Sequence, residues 1–206
     1  MRPERARQGE IGVEIERELK YYFSSAIEKA VHAREVELSP YVLIYVTDLM
    51  SRFSRTSALF EETDGRFEET PLAFILKRAL ESTGWERIRL LKRLGDTSLY
   101  IAGYLPEYIE KKTVTVGYYI SMGEAAYETL SGILSWDPVM EGLYQELAAK
   151  FSILTDLLLY IRDVSPGSNT ELLRLYERWL KTGEESIRKQ LEREGIIPVG
   201  LNRDMA

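Results

Sequence analysis

Asp96 is the residue of this chain whose setting most needs a reason. It stands in LGDTSLYIAGYLPE (residues 94–107), where Gly95, Asp96, Thr97 and Ser98 interrupt an apolar helical pattern. A carboxylate in such a place is either a ligand-facing acid in a pocket or an internal tie between elements. At helical spacing Asp96, Tyr100 and Gly103 share a face, and the stripe Ile88, Leu91, Leu99 and Ala102 puts Asp96 at its buried edge. The pattern therefore predicts a buried, hydrogen-bonded Asp96 at a close helix–helix contact. Gly95 and Gly103, facing Gly117 and Gly123 on the next helix, would let the backbones approach. The donors expected for it are the hydroxyls of Thr97, Tyr118 or Tyr119, or backbone amides at a helix start. Asp96, Tyr100, Tyr118 and Tyr119 form the candidate ligand-binding set. The chain has 13 tyrosines, and Tyr100, Tyr104, Tyr118, Tyr119 and Tyr127 crowd its middle. Tyrosine lines pockets, but it also packs in cores with its hydroxyl on a partner, and core packing is the preferred reading.

Other chemistries find few residues to use. There is no cysteine, so disulfides, thiolate catalysis, zinc–thiolate sites and iron–sulfur clusters are excluded. His32 is the single histidine. It falls near an expected helix C-terminus, where a histidine caps carbonyls and suits the helix dipole. No Glu-x-x-His exists, since Glu28 precedes His32 by one full helical turn, and a di-iron bundle is therefore not expected. Phosphate-cradling and dinucleotide-binding glycine motifs are absent. No metal, haem or other cofactor is expected, and no catalytic residue stands out. Lys77, Arg78, Arg87, Arg89, Lys92 and Arg93 form a basic cluster behind an acidic stretch at 61–70. They read as a solvated face before they read as an anion site.

These residues need helices to position them, and helix signals recur along the chain. An apolar stripe runs from Ile11 to about Arg34. Ser39-Pro40 and Asp137-Pro138 each pair a cap with proline at the first helical position. They open helices expected to reach about Phe60 and Asp163. Thr70-Pro71 opens a short helix to about Ser82, and Thr83 with Glu86 is a capping box starting a helix to about Tyr104. Residues 106–115 read as a connection, and 114–135 as helical. Ser168 with Glu171 and Thr182 with Glu185 announce two C-terminal helices, at about 170–181 and 184–194, with Gly195 placed to end the last. Asp64-Gly65 marks a turn in an acidic loop over 61–70. The expectation is an all-α, single-domain, multi-helix globular bundle of about eight helices over 11–195. A flexible basic tail (1–10) and a C-terminal tail (196–206) flank it, and helices 85–104, 114–135 and 138–163 form its centre.

The segment 94–107, followed by GYYISMGEAAY (117–127), resembles a signature, LGDxSLYxAGYxPE and YYxxMGxxAY, shared by a group of uncharacterised bacterial all-helical proteins. The resemblance implies a bacterial cytosolic helical protein and carries no activity or site residue with it.

Composition narrows the function classes. With 45% hydrophobic and 29% charged residues in 206, the chain can bury a core without metals or disulfides. A net charge of −6 makes nucleic acid an improbable partner. The charged start MRPERARQGE is no secretory signal, and the longest apolar run, Tyr41 to Val46, is too short for a membrane span. The expected location is cytoplasmic. Two functions stay open: a non-enzymatic binding or regulatory module acting through a protein partner or self-association, and a small-molecule-binding protein or enzyme with a polar pocket at Asp96.

Overall fold

The computed structural model describes residues 3–53, 61–63, 66–68, 71–105, 109, 114–164, 175 and 184–193. Among them the chain forms a multi-helix all-α bundle. Its helices are α1 (Pro3–Ala33), α2 (Pro40–Phe53), α3 (Leu72–Glu81), α4 (Gly84–Tyr104), α5 (Val116–Ile133), α6 (Pro138–Ala149), α7 (Phe151–Val164) and α8 (Glu185–Arg193). β1 (Glu61–Thr63) and β2 (Arg66–Glu68) make a small antiparallel hairpin between α2 and α3. The stretch expected as an acidic loop thus contains paired strands, with Thr63 opposite Arg66 across the Asp64-Gly65 dipeptide. That dipeptide is a hairpin signal as well as a turn signal. Residues 64 and 65 themselves lie outside the described residues, as do 54–60, most of 106–113, and the region of the expected helix 170–181 apart from residue 175.

α4 is the axis of the molecule. Every residue from Leu94 to Tyr104 is buried, because α4 packs against α3, α5, α7 and α2. A helix covered all round needs no polar face. Fully buried Leu94, Leu99 and Ile101 each contribute roughly 1.5–3 kcal/mol of burial. Close approach rests on missing side chains at three glycines, and a Cβ on Gly103 would lie 2.8 Å from Leu158 Cβ on α7. A Cβ on Gly95 would lie 2.4 Å from the Tyr127 ring, and one on Gly123 would lie 2.1 Å from the Phe151 ring. Gly117 plays no such part, since it is exposed and its nearest neighbour atom would be Thr115 Oγ1 at 3.7 Å.

Three boundaries differ from the sequence reading. α1 begins at Pro3 rather than near Ile11, and proline is at home in a first helical turn. Thr83 precedes α4 without a side-chain cap bond, and Gly84 enters the helix at a left-handed φ of 56°. The helix expected over 138–163 is two, separated at Lys150, whose ψ is 16°. The i to i−4 bonds continue across it, from Lys150 N to Glu146 O at 2.9 Å and from Leu154 N to Lys150 O at 2.8 Å. The apolar stripe therefore keeps its period and hides the bend. At the bend Lys150 Nζ donates to Glu37 O at 2.6 Å, and Glu146 Oε1 accepts from Ser39 N at 3.0 Å. This pair clamps the α1–α2 connection. The two proline caps form as expected, with Ser39 Oγ accepting from Val42 N and Asp137 Oδ1 from Val139 N and Met140 N.

Candidate functional site

Asp96 lies midway along α4 and is 2% exposed. Each of its carboxylate oxygens is met twice. Oδ1 accepts the hydroxyls of Tyr45 at 2.5 Å and Tyr127 at 2.9 Å. Oδ2 accepts Lys92 Nζ at 2.6 Å and Arg52 Nη2 at 3.1 Å. A carboxylate has about four lone-pair positions, so its acceptor capacity is used up within the fold. Tyr45 and Arg52 come from one face of α2, Lys92 from the preceding turn of α4, and Tyr127 from α5. One side chain thereby ties three elements.

The energetics favour the arrangement only as a set. A buried, unpaired carboxylate would cost several kcal/mol. Here the opposing charges sit at the boundary with water, with Arg52 43% and Lys92 34% exposed, so neither cation is fully desolvated. The network runs on to the surface. Arg52 Nε also donates to Asp48 at 3.0 Å, and Asp48 pairs with Lys20 of α1 at 3.0 Å. Lys92 Nζ lies 4.7 Å from the centre of the Tyr45 ring, a cation–π contact. Tyr45 meets the rings of Tyr127 and Tyr144 edge to face, at 6.2 and 5.9 Å between centroids, and those two rings lie tilted to each other at 5.8 Å.

Ionisation in this cluster follows burial first and neighbouring charge second. Burial and then the Asp96 charge push the Tyr127 phenol well above its ordinary value. Tyr45 is raised by burial, then by Tyr127 and Asp96. Tyr144 is pushed up to about 12 by burial and then by Asp96. Burial works against the Arg52 charge, but Asp96 and Asp48 outweigh it and raise the guanidinium further. Burial likewise opposes the Asp48 charge, and Lys20 and Arg52 overcome it to hold that carboxyl below its usual range.

Of the candidate set, only Asp96 belongs to this cluster. Tyr100 is buried, with its ring 5.2 Å from Phe53 and 5.3 Å from Tyr104, and burial raises its phenol. Tyr118 and Tyr119 meet edge to face at 5.6 Å near the start of α5. The hydroxyls on Asp96 belong to Tyr45 and Tyr127, not to Thr97, Tyr118 or Tyr119. Lys92 was readable from its spacing to Asp96, a helical ion-pair distance. Tyr127 follows Gly123 by one turn on the apolar side of α5. Tyr45 and Arg52 carry no local signal, because α2 joins them to Asp96 only through tertiary packing.

The basic cluster is mostly neutralised by its own helices. Lys77 reaches Glu81 at 3.9 Å, Arg78 and Arg89 both reach Glu86, at 3.7 and 2.8 Å, and Lys92 is on Asp96. His32 is exposed in the last turn of α1. Among the described residues no group of three His, Cys, Asp or Glu converges, and no helix is long and apolar enough to cross a membrane. No protein-family model, no curated protein and no solved structure matches the chain.

Proposed function

We propose that this chain is a binding or regulatory module of the bacterial cytoplasm that acts through a protein partner or self-association, with the Asp96 cluster as its internal tie. The observation that supports this reading is the complete occupancy of the Asp96 carboxylate by Tyr45, Tyr127, Lys92 and Arg52. An acid whose lone pairs are all engaged has none to offer a ligand or a proton in transit. The module reading leaves the working surface outside the cluster.

The test compares wild type with Asp96→Asn, which keeps the side-chain shape and removes the charge. Native mass spectrometry would record bound small molecules, and sedimentation velocity would record association. The expected result is a less stable Asp96→Asn chain whose association is that of wild type under conditions where both are folded. A stoichiometric small molecule that is held by wild type and lost from folded Asp96→Asn would overturn the proposal. It would favour the other reading, a ligand-binding protein or enzyme with its polar site at Asp96.

A further inference from the structure

The outer face of the α1–α2 pair exposes three large apolar side chains. Tyr21 of α1 is 80% exposed, and Ile44 and Tyr41 of α2 are 69% and 55% exposed. Scattered singly, such residues would need no explanation. Here one ion pair fixes where they stand. Lys20 of α1 meets Asp48 of α2 at 3.0 Å, and the short connection between the two helices makes them antiparallel neighbours. One turn forward on α1 and one turn back on α2 therefore bring Ser24 level with Ile44. Tyr41 precedes Ile44 by three residues, on the same face of α2. Phe23, Ile27 and Ala30 hold α1 to the core, so Tyr21, with Arg17, Ser24 and Glu28, belongs to the outward row of α1.

That row is its own complement. Its spacings of four, three and four residues read the same in both directions and match a heptad seam. Laid antiparallel on a second copy, about a two-fold axis between Tyr21 and Ser24, it sets Arg17 against Glu28 of that copy and Tyr21 against its Ser24, each contact made twice. Parallel pairing would instead oppose like charges. Ser24 is small, which leaves room for the Tyr21 ring beside Ile44. Ser24 Oγ donates to Glu28 Oε1 at 3.2 Å, using only one of the roughly four lone-pair positions of that carboxylate.

We propose that two copies of this chain dock through the outer faces of α1 and α2, antiparallel about a two-fold axis, with Tyr21 and Ile44 as the apolar contact and Arg17–Glu28 pairs flanking it. The proposal rests on the self-association branch of the reading above and gives it a surface. The chain's net charge of −6 does not oppose it. On this face Arg17 and Lys20 are matched by Glu28 and Asp48, and Arg52, at its edge, is on Asp96. At physiological salt, exposed charges more than about 8 Å away are largely screened. The local balance therefore governs docking, and it is neutral.

The test is sedimentation velocity on the full chain over micromolar to submillimolar concentration, where a dimer is expected. Ile44→Glu and Tyr21→Glu should each raise its Kd at least about tenfold, since each substitution enters the contact twice. Both side chains are exposed, so the urea midpoints should stay near that of wild type. Arg17→Glu and Glu28→Arg should each weaken the dimer about tenfold by opposing like charges. Combined in one chain they should restore the Kd to within about threefold of wild type. Residues 17 and 28 are about 16 Å apart along α1, so that restoration has to come from a contact between chains. Phe74→Glu, exposed on α3, should leave the dimer as it is. A monomer throughout the range would overturn the proposal. So would a dimer that Ile44→Glu leaves intact, or a charge exchange that is no better than its single variants. Any of these results leaves the module reading standing, because that reading fails only on a small molecule held through Asp96.

Discussion

In its first half α4 carries Glu86, Arg87, Arg89, Lys92 and Arg93 toward the surface, while from Leu94 to Tyr104 it is buried on every side and keeps a single charge, Asp96. The first half meets its charges locally. Glu86 pairs with Arg89 on the next turn and Arg78 on the neighbouring helix. The second half has no water to use, so Asp96 draws donors from α2, α4 and α5. The same residue types therefore carry different weights along one helix. An exposed pair adds a fraction of a kcal/mol, whereas removing a buried partner strands several groups at once.

This contrast can be broken at several points. The largest effect is expected for Asp96→Ala, which strands the buried Tyr127 hydroxyl and sets Arg52 and Lys92 against each other. Because those cations are partly exposed and can regain water, the loss should be about 2–3 kcal/mol by urea denaturation. An unchanged midpoint would mean that the buried half of α4 is no different from the exposed half. Next, Gly123→Ala pushes a methyl group into the Phe151 ring and should destabilise by about 1–3 kcal/mol, despite alanine's better helix propensity.

Alkaline pH probes the same cluster. Tyr45 and Tyr127 have raised values in the folded state, so the neutral phenol is favoured by folding. Their contribution is complete below the unfolded phenol value near 10 and is lost as pH rises through the folded values. The urea midpoint should fall above about pH 10, and less steeply in Tyr127→Phe. An equal slope for both chains would remove Tyr127 from the account. The exposed helices should give the smallest effects. Gly142 in α6 has open space around it, and Gly142→Ala should stabilise by about 0.5–1 kcal/mol. Arg89→Gln should change stability by less than about 0.5 kcal/mol, and a loss several times larger would show that the Glu86 pairs are not the screened surface pairs they look like.

Much of this was legible in the sequence because it is local. Proline caps, the 3.6-residue stripes and the turn dipeptide placed the elements, and Asp96 among apolar residues announced a buried polar contact. The break at Lys150 was not legible, since no glycine or proline marks it and the stripe Leu147, Phe151, Leu154 runs through it in phase. The partners of Asp96 were legible only where they share its helix. Tyr45 and Arg52 lie on α2, where the run YVLIYV reads as core, and nothing in their spacing points to α4. Tyr118 and Tyr119 were the nearer tyrosines in sequence to the glycines of α5, but the antiparallel pairing brings Tyr127 to Gly95 instead. Sequence pattern gives the face a residue occupies. It does not give the register between helices.

The central claim, that Asp96 is a fully coordinated tie between helices, is tested most directly by a double-mutant cycle of Asp96→Ala and Tyr127→Phe, read by urea denaturation at neutral pH. The two side chains are in contact at 2.9 Å. The account predicts a coupling of about 1–2 kcal/mol, with Tyr127→Phe costing much less once Asp96 is gone. Additivity of the two losses to within about 0.5 kcal/mol would contradict it, because the hydroxyl and the carboxylate would then contribute independently.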